Sequence, residues 1–162
     1  MWLYNLGISL YAGGIRLAAL WHGKARLWSE GRRNIFERME AAVRPSDRIV
    51  WVHAASLGEF EQARPIIERL RAEHPEYKIL LTFFSPSGYE IRKNYEGADY
   101  VFYLPADTPS NARRFLDIVH PEIAIFIKYE FWINLLSFDG DAVAIVDKKP
   151  LTERILQFAG VT

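Results

Sequence analysis

From Arg48 onward, short apolar segments alternate with helical patterns, and this alternation limits the possible folds more than any other feature. The apolar segments are rich in β-branched and aromatic residues, which is typical of strands buried on both faces of a sheet. Four such segments are clear: Ile49–His53, Ile79–Phe84, Tyr100–Leu104 and Ile123–Ile127. Their order predicts an α/β fold, with a Rossmann-like parallel sheet and helices on both of its faces.

Helical patterns separate the predicted strands at Phe60–Glu73, Gly88–Tyr95 and Pro109–Val119. The third helix has a strong start signal, because Thr108 is a good N-cap and Pro109 suits the first helical position. Pro65 predicts that the first helix is kinked or restarts near Arg64. A weaker unit follows, with a strand at Ala142–Val146 and a helix at Leu151–Phe158.

The most apolar stretch of the chain is residues 1–21, which reach the ~20 residues needed to cross a bilayer. Three glycines, Asn5 and Arg16 weaken a spanning helix. Aromatic rings that favour headgroup depth recur along the stretch, at Trp2, Tyr4, Tyr11 and Trp21. We therefore predict an apolar helix that lies in the membrane interface. The alternative is a helix packed on a second domain of the protein.

The net charge of the 162 residues is zero, but residues 1–44 contain seven basic and three acidic residues. This asymmetry predicts an anionic membrane surface as partner, the alternative being a solvated helix face. The absence of cysteine excludes disulfides and thiolate chemistry, and no basic and aromatic module for nucleic acid is present. The predicted organisation is a membrane-associating helical segment (1–44), a Rossmann-like domain (45–136) and an atypical tail (137–162).

Three loops follow predicted strands, and in sheets of this kind ligands bind beyond the carboxyl ends of the strands. These loops are His53–Phe60, Ser85–Gly88 and Lys128–Trp132. If the strand order is 3-2-1-4, the first and fourth strands are neighbours, and Glu59 and Glu130 line one crevice. Two carboxylates at one crevice could divide the work between a general base and an orienting group. An ion pair that stabilises the loops is the alternative.

Each candidate residue also has a structural interpretation. Ser56 and Glu59 have the spacing of a capping box, although Gly58 between them is a poor helix former and suggests a close approach of the backbone to another group. Backbone amides of the Ser85–Gly88 loop could hold an anion at the start of a helix. That loop lacks the glycine spacing of a dinucleotide site. The four histidines show no metal-ligand spacing.

Five blocks of sequence, in this order, resemble bacterial 3-deoxy-D-manno-octulosonic acid (Kdo) transferases, in a form closest to that of the Bacteroidetes. The blocks are GRRNIFER, WVHAASLGEFEQARPIIERLR, LLTFFSPSGYE, YLPADTPSNARRFL and IFIKYEFWINLL. The resemblance spans about Tyr4 to Leu136. It implies the first, acceptor-binding half of a glycosyltransferase-B fold. The family usually has proline after the tryptophan of the last block, where this chain has Ile133.

The resemblance also implies a reaction and its residues. Kdo would pass from CMP-Kdo to the lipid A precursor, without a metal, on the cytoplasmic face of the inner membrane. Glu59 matches the glutamate proposed as general base, and Glu130 matches a second glutamate needed for activity. The other candidate substrate-binding residues are Ser56, Gly58, Ser85, Ser87 and Gly88, with Arg32 and Arg33 as candidates for the acceptor phosphates.

Residues 137–162 do not follow the family's continuation, and no room remains for a donor-binding second half. We therefore expect a fragment, an excised domain or a rearranged product that needs the missing donor domain for catalysis. Two other hypotheses stay open: a non-catalytic, membrane-associated lipid-binding module of the same fold, and a generic nucleotide-binding α/β domain.

Overall fold

A five-stranded parallel sheet forms the centre of the protein, in a computed structural model that describes residues 2–127, 132–137 and 142–146. The strands are β1 (Ile49–Ala54), β2 (Lys78–Phe83), β3 (Tyr100–Tyr103), β4 (Ile123–Ile127) and β5 (Ala142–Val146). Their spatial order is β3-β2-β1-β4-β5, and all neighbours run parallel. The predicted order of the first four strands is confirmed. The helix predicted at Leu151–Phe158 lies outside the described residues.

Both faces of the sheet are buried, as the continuous apolarity of the strands predicts. All six residues of β1 and all five of β4 are buried. Alternate β1 residues join different cores: Val50 and Val52 pack on one side, and Ile49 and Trp51 on the other. This alternation follows from the two-residue period of a strand. The α/β fold class is therefore confirmed.

The helices are α1 (Trp2–Ala18), α2 (Gly23–Gly31), α3 (Ile35–Ala42), α4 (Leu57–Glu73), α5 (Pro86–Arg92) and α6 (Pro109–Val119). Helix α4 covers one face of the sheet, whereas α3 and α6 cover the other. The N-cap predicted at Thr108 is confirmed, since its hydroxyl accepts a hydrogen bond from the Asn111 amide.

Helix α4 continues through Pro65, so the predicted restart near Arg64 is wrong. Pro65 is exposed, and the carbonyl that loses its helical partner can therefore be hydrated. Ile66 and Ile67, the next two residues, are almost fully buried. Burial of these two side chains offsets the backbone hydrogen bond that α4 loses at Pro65.

Helix α1 has no buried residue, although it is the most apolar helix of the chain. Its apolar side chains are largely solvent-exposed; Trp2 is 70% exposed and Leu10 is 67% exposed. Tyr11 contacts the fold instead, with its ring stacked on that of Phe84 at 6.2 Å between centroids. Within the described residues, none of the helices combines the length and apolarity that crossing a bilayer requires.

Asp107, in the loop after β3, joins three separate parts of the chain. Its buried carboxylate accepts hydrogen bonds from the hydroxyl of Tyr4 on α1 and from the backbone amides of Asn134 and Leu135. The side-chain amide of Asn134 also donates to the Asp107 carbonyl at 2.6 Å and to Asn5 Oδ1 at 3.0 Å. One acidic side chain therefore fixes α1 to the segment that follows β4.

Replacement of Asp107 by Ala should lower the free energy of unfolding by about 3 kcal/mol, because two buried amides lose their acceptor. Urea unfolding at neutral pH measures this change. The matched control is Asp117→Ala on α6, which removes an exposed carboxylate and should change stability little. Equal effects of the two substitutions would contradict a central role for Asp107.

Candidate functional site

The loops after β1, β2 and β3 lie along one edge of the sheet, where ligands of parallel α/β proteins bind. Backbone hydrogen bonds link them. The Ser85 amide donates to the Ala55 carbonyl at 2.8 Å, and the Leu104 amide donates to the Phe83 carbonyl at 2.7 Å. The structure thus brings the candidate loops around Ser56 and Ser85 together. Glu130 lies outside the described residues, so its predicted proximity to Glu59 stays a prediction.

Glu59 is in the first turn of α4, directly after the carboxyl end of β1. Ser56 is the N-cap, as predicted, but its side chain caps no backbone amide. The Ser56 hydroxyl donates to the Glu59 carboxylate instead. Glu59 is half-buried. An acidic side chain that accepts a hydrogen bond from Ser56 is therefore held at the ligand-binding edge.

Gly58 is exposed beside this carboxylate. A methyl group added at its Cα would meet only Ser56 Oγ, at 3.9 Å. The described residues therefore offer no packing reason for glycine here. The close approach of the backbone to another group, which Gly58 suggests, is not seen among the described residues.

The backbone amides of Ser87 and Gly88, in the loop that was predicted to hold an anion, form hydrogen bonds within the loop itself. Ser85 caps α5 by accepting a hydrogen bond from the Ser87 amide at 3.2 Å, and the Gly88 amide donates to the Ser85 carbonyl. Gly88 is buried, and an added Cβ would lie 2.3 Å from the Phe83 ring. Packing thus accounts for Gly88. The Ser85 and Ser87 hydroxyls lie 3.0 Å apart and hydrogen-bond to each other, so only their remaining hydrogen-bonding capacity is left for a ligand.

Arg32 is half-buried at the far end of this edge. Its guanidinium donates to the carbonyls of Leu104 at 2.8 Å, Phe84 at 2.9 Å and Trp28 at 3.1 Å. It also lies 3.9 Å from the Trp28 ring centroid and 4.7 Å from that of Tyr103. Burial lowers the pKa of Arg32 to about 9, so it remains cationic at neutral pH. Arg32 therefore connects α2 to the ends of β2 and β3.

Arg33 has a different environment, since its side chain is exposed at the corner between α2 and α3. It lines a cavity together with Arg16 and Arg32. The structure therefore places the two candidate arginines beside the β3 loop, away from the group formed by Ser56, Gly58 and Glu59. The sequence did not indicate Arg16 as a ligand-binding candidate. It counted only as a charge that weakens a membrane-spanning helix and as one of the basic residues in the segment 1–44.

Asp107 was also missed as a positioning residue. Its only sequence signal was its place in the block YLPADTPSNARRFL. Among the described residues, no group of three or more His, Asp or Glu side chains could hold a metal ion.

His53, the fifth residue of β1, is fully buried behind the edge. Its Nδ1 lies 2.9 Å from Thr82 Oγ1, which also accepts a hydrogen bond from Trp51 Nε1 at 2.8 Å. The His53 ring packs edge-on against Phe126 and Trp132. Burial in these apolar surroundings lowers the pKa of His53 to about 3, so His53 is neutral in the folded protein near pH 7.

The fold and the edge define a Rossmann-like α/β domain with an acidic residue at the ligand-binding end of its central strand. Residues 31–140 match the family described as 3-deoxy-D-manno-octulosonic-acid transferase, or kdotransferase. The chain belongs to this family of glycosyltransferases.

Curated relatives carry the same description. The chain is 37% identical to the 3-deoxy-D-manno-octulosonic acid transferase of Aquifex aeolicus over 111 residues, which cover 66% of this chain and 31% of that protein. It is 33% identical to the transferase of Haemophilus influenzae over 93 residues, which cover 57% of this chain and 22% of that protein. The chain is 35% identical to a probable mitochondrial 3-deoxy-D-manno-octulosonic acid transferase of Arabidopsis thaliana over 97 residues. These cover 59% of this chain and 22% of that protein. The chain thus spans less than a third of these relatives.

The low pKa of His53 predicts a pH dependence of stability. The unfolded chain binds a proton at His53 below about pH 6.5, whereas the folded protein does so only near pH 3. Stability from this residue is therefore present above pH 6.5 and is lost as the pH falls. Between pH 7 and pH 5 the free energy of unfolding should drop by about 2 kcal/mol from this group.

Urea unfolding of His53→Gln at pH 7 and pH 5 measures this change. The drop in the free energy of unfolding between the two pH values should be about 2 kcal/mol smaller than in the parent protein. This holds even if the variant is less stable at pH 7. His22→Gln, at an exposed position, is the control and should keep the pH dependence. An unchanged pH dependence in His53→Gln would show that His53 is protonated in the folded state.

Proposed function

We propose that this chain is the acceptor-binding half of an enzyme that transfers Kdo from CMP-Kdo to the lipid A precursor in lipopolysaccharide biosynthesis. The observation that carries the proposal is the position of Glu59. Glu59 follows the carboxyl end of the central strand, in the first turn of α4 and next to the exposed Gly58. Membership of the Kdo transferase family supports the same reaction.

Glu59 acts as the general base in this proposal. Its carboxylate removes the proton from the 6-hydroxyl of the acceptor glucosamine as that oxygen attacks the anomeric carbon of Kdo. The new carbon–oxygen bond forms while the bond to the phosphate of CMP breaks, and CMP leaves with the electron pair. Glu59 then loses its proton to solvent. The Ser56 hydroxyl orients the carboxylate, and Glu130 is proposed as a second, orienting carboxylate.

The donor substrate, CMP-Kdo, would bind mainly in a second domain. The short coverage of the relatives supports this division, because the matched regions make up less than a third of their lengths. We propose that no metal takes part and that positioning of the two sugars supplies much of the rate. The Ser85 and Ser87 hydroxyls are available to the acceptor at the neighbouring loop.

We place the protein at the cytoplasmic face of the inner membrane. Helix α1 exposes large apolar side chains along most of its length, and Trp21, just beyond it, is 72% exposed. Arg16, Lys24 and Arg26 lie on or near the same helix and are also exposed. An exposed apolar face flanked by cations is typical of a helix that lies in the interface of an anionic bilayer.

The base is tested by Glu59→Gln in the chain joined to the donor half of the Aquifex aeolicus relative. Loss of the proton acceptor should lower kcat for Kdo transfer by about 10²–10⁴-fold, while binding of acceptor vesicles stays near normal. Glu68→Gln, at an exposed position of the same helix, should keep transfer. Full transfer by Glu59→Gln would remove the base assignment. Acceptor binding without any transfer by the parent fusion would favour the non-catalytic lipid-binding module.

Gly58→Ala separates a structural role of the glycine from a functional one. Alanine should stabilise the first turn of α4 by about 0.5–1 kcal/mol, because glycine is the poorer helix former. Transfer should fall in the same fusion, because the methyl group occupies the surface proposed for the acceptor. Thermal unfolding and initial rates measure the two effects. Gly13→Ala, also helical with nothing within 4 Å, should stabilise without loss of transfer; equal rates for both variants would contradict an acceptor beside Gly58.

A further inference from the structure

A cavity of about 570 Å³ lies between α1, the corner that joins α2 to α3, and the loop after β3. Three arginines line it: Arg16 from α1, and Arg32 and Arg33 from the corner. One carboxylate, that of Glu37, lies at the same cavity. It faces Arg114, whose Nη2 is 3.4 Å from Glu37 Oε1. The cavity is therefore strongly cationic.

The cations of this cavity are available to a ligand. Arg16 and Arg33 are exposed and form no ion pair within the described part of the chain. Arg32 is half-buried, and no described carboxylate neutralises it. Its three hydrogen bonds to carbonyls use three of the five N–H groups of a guanidinium. A residue that lines the cavity therefore keeps two further donors and an unneutralised charge.

The strand order gives the distance between the cavity and the proposed site of transfer. It adjoins the end of β3, whereas Glu59 follows β1, and β2 lies between them. Two interstrand spacings correspond to about 10 Å. An anion in the cavity would thus belong to a part of the acceptor remote from the reacting hydroxyl. One wall of the cavity is α1, whose other side chains are exposed and apolar, so the cavity would lie at headgroup depth.

We propose that this cavity binds a phosphomonoester group of the glycolipid acceptor, held by Arg16 and Arg33 in front of the half-buried charge of Arg32. The identity of the lipid rests on the proposed function, whereas the phosphate specificity rests on the cavity itself. A phosphomonoester carries up to two negative charges and three terminal oxygens, which suit several guanidinium groups. A phosphodiester offers one charge and fewer free oxygens, so the cavity discriminates against it.

Vesicle flotation of the whole chain tests the proposal without requiring catalysis. One set of phosphatidylcholine vesicles contains phosphatidic acid, a phosphomonoester. A second contains phosphatidylglycerol, a phosphodiester, at matched surface charge. We expect tighter binding to the phosphatidic acid vesicles. Arg16→Gln and Arg33→Gln should each weaken that binding about tenfold, and the double variant should lose the preference.

Arg26→Gln is the matched control, because Arg26 is an exposed arginine of α2 outside the cavity. It should weaken binding to both vesicle types equally and keep the preference. Circular dichroism checks that every variant is folded. Inorganic phosphate serves as competitor. It should abolish the preference only at concentrations far above that of the lipid phosphate, because the lipid also binds through the membrane contacts of α1. Loss of the preference at equal concentrations of inorganic and lipid phosphate would show a site for free phosphate and overturn the lipid assignment.

Two further outcomes overturn the site: equal binding of the parent chain to both vesicle types, or an undiminished preference in the double variant. Failure of the proposed function is a separate result. A protein that prefers phosphatidic acid through Arg16 and Arg33, but whose fusion transfers no Kdo, would keep the phosphate site and lose the transferase assignment.

Discussion

Burial of the strands on both faces is the constraint on which the rest of the structure depends. Such strands pair in parallel and need crossover helices, so every carboxyl end in the sheet reaches the same edge. The loops after β1, β2 and β3 therefore meet there, joined by the bond from the Ser85 amide to the Ala55 carbonyl. Glu59 gains its position from this geometry, because α4 begins directly behind the central strand.

Two charged side chains, buried Asp107 and half-buried Arg32, attach the amino-terminal helices to that edge. Arg32 ties α2 to the carbonyls that follow β2 and β3, while Asp107 ties α1 to the segment after β4. Burial makes both attachments specific, since any unpaired polar group there is costly. The contacts of Arg32 and Asp107 therefore hold α1 and α2 against the rest of the described fold.

Local sequence patterns were sufficient for the sheet. Continuous apolar runs predicted β4 to the residue, and Thr108 predicted the start of α6, because these signals depend on neighbours in the chain. The restart at Pro65 was wrong because tertiary burial of Ile66 and Ile67 outweighs a local penalty. Arg32 could be named as a phosphate candidate, but its carbonyl and aromatic partners are up to 72 residues away, which no spacing rule reveals.

The acceptor is proposed to bind at the edge that carries Glu59. Hydrogen–deuterium exchange of the chain, with and without vesicles that contain the lipid A precursor, tests this most directly. Protection should increase at residues 55–60, at 84–88 and along α1 and α2. Backbone amides at the opposite edge, near Arg48 and Glu122, should be unchanged. Protection confined to that opposite edge, or absent from residues 55–60, would contradict the proposed site.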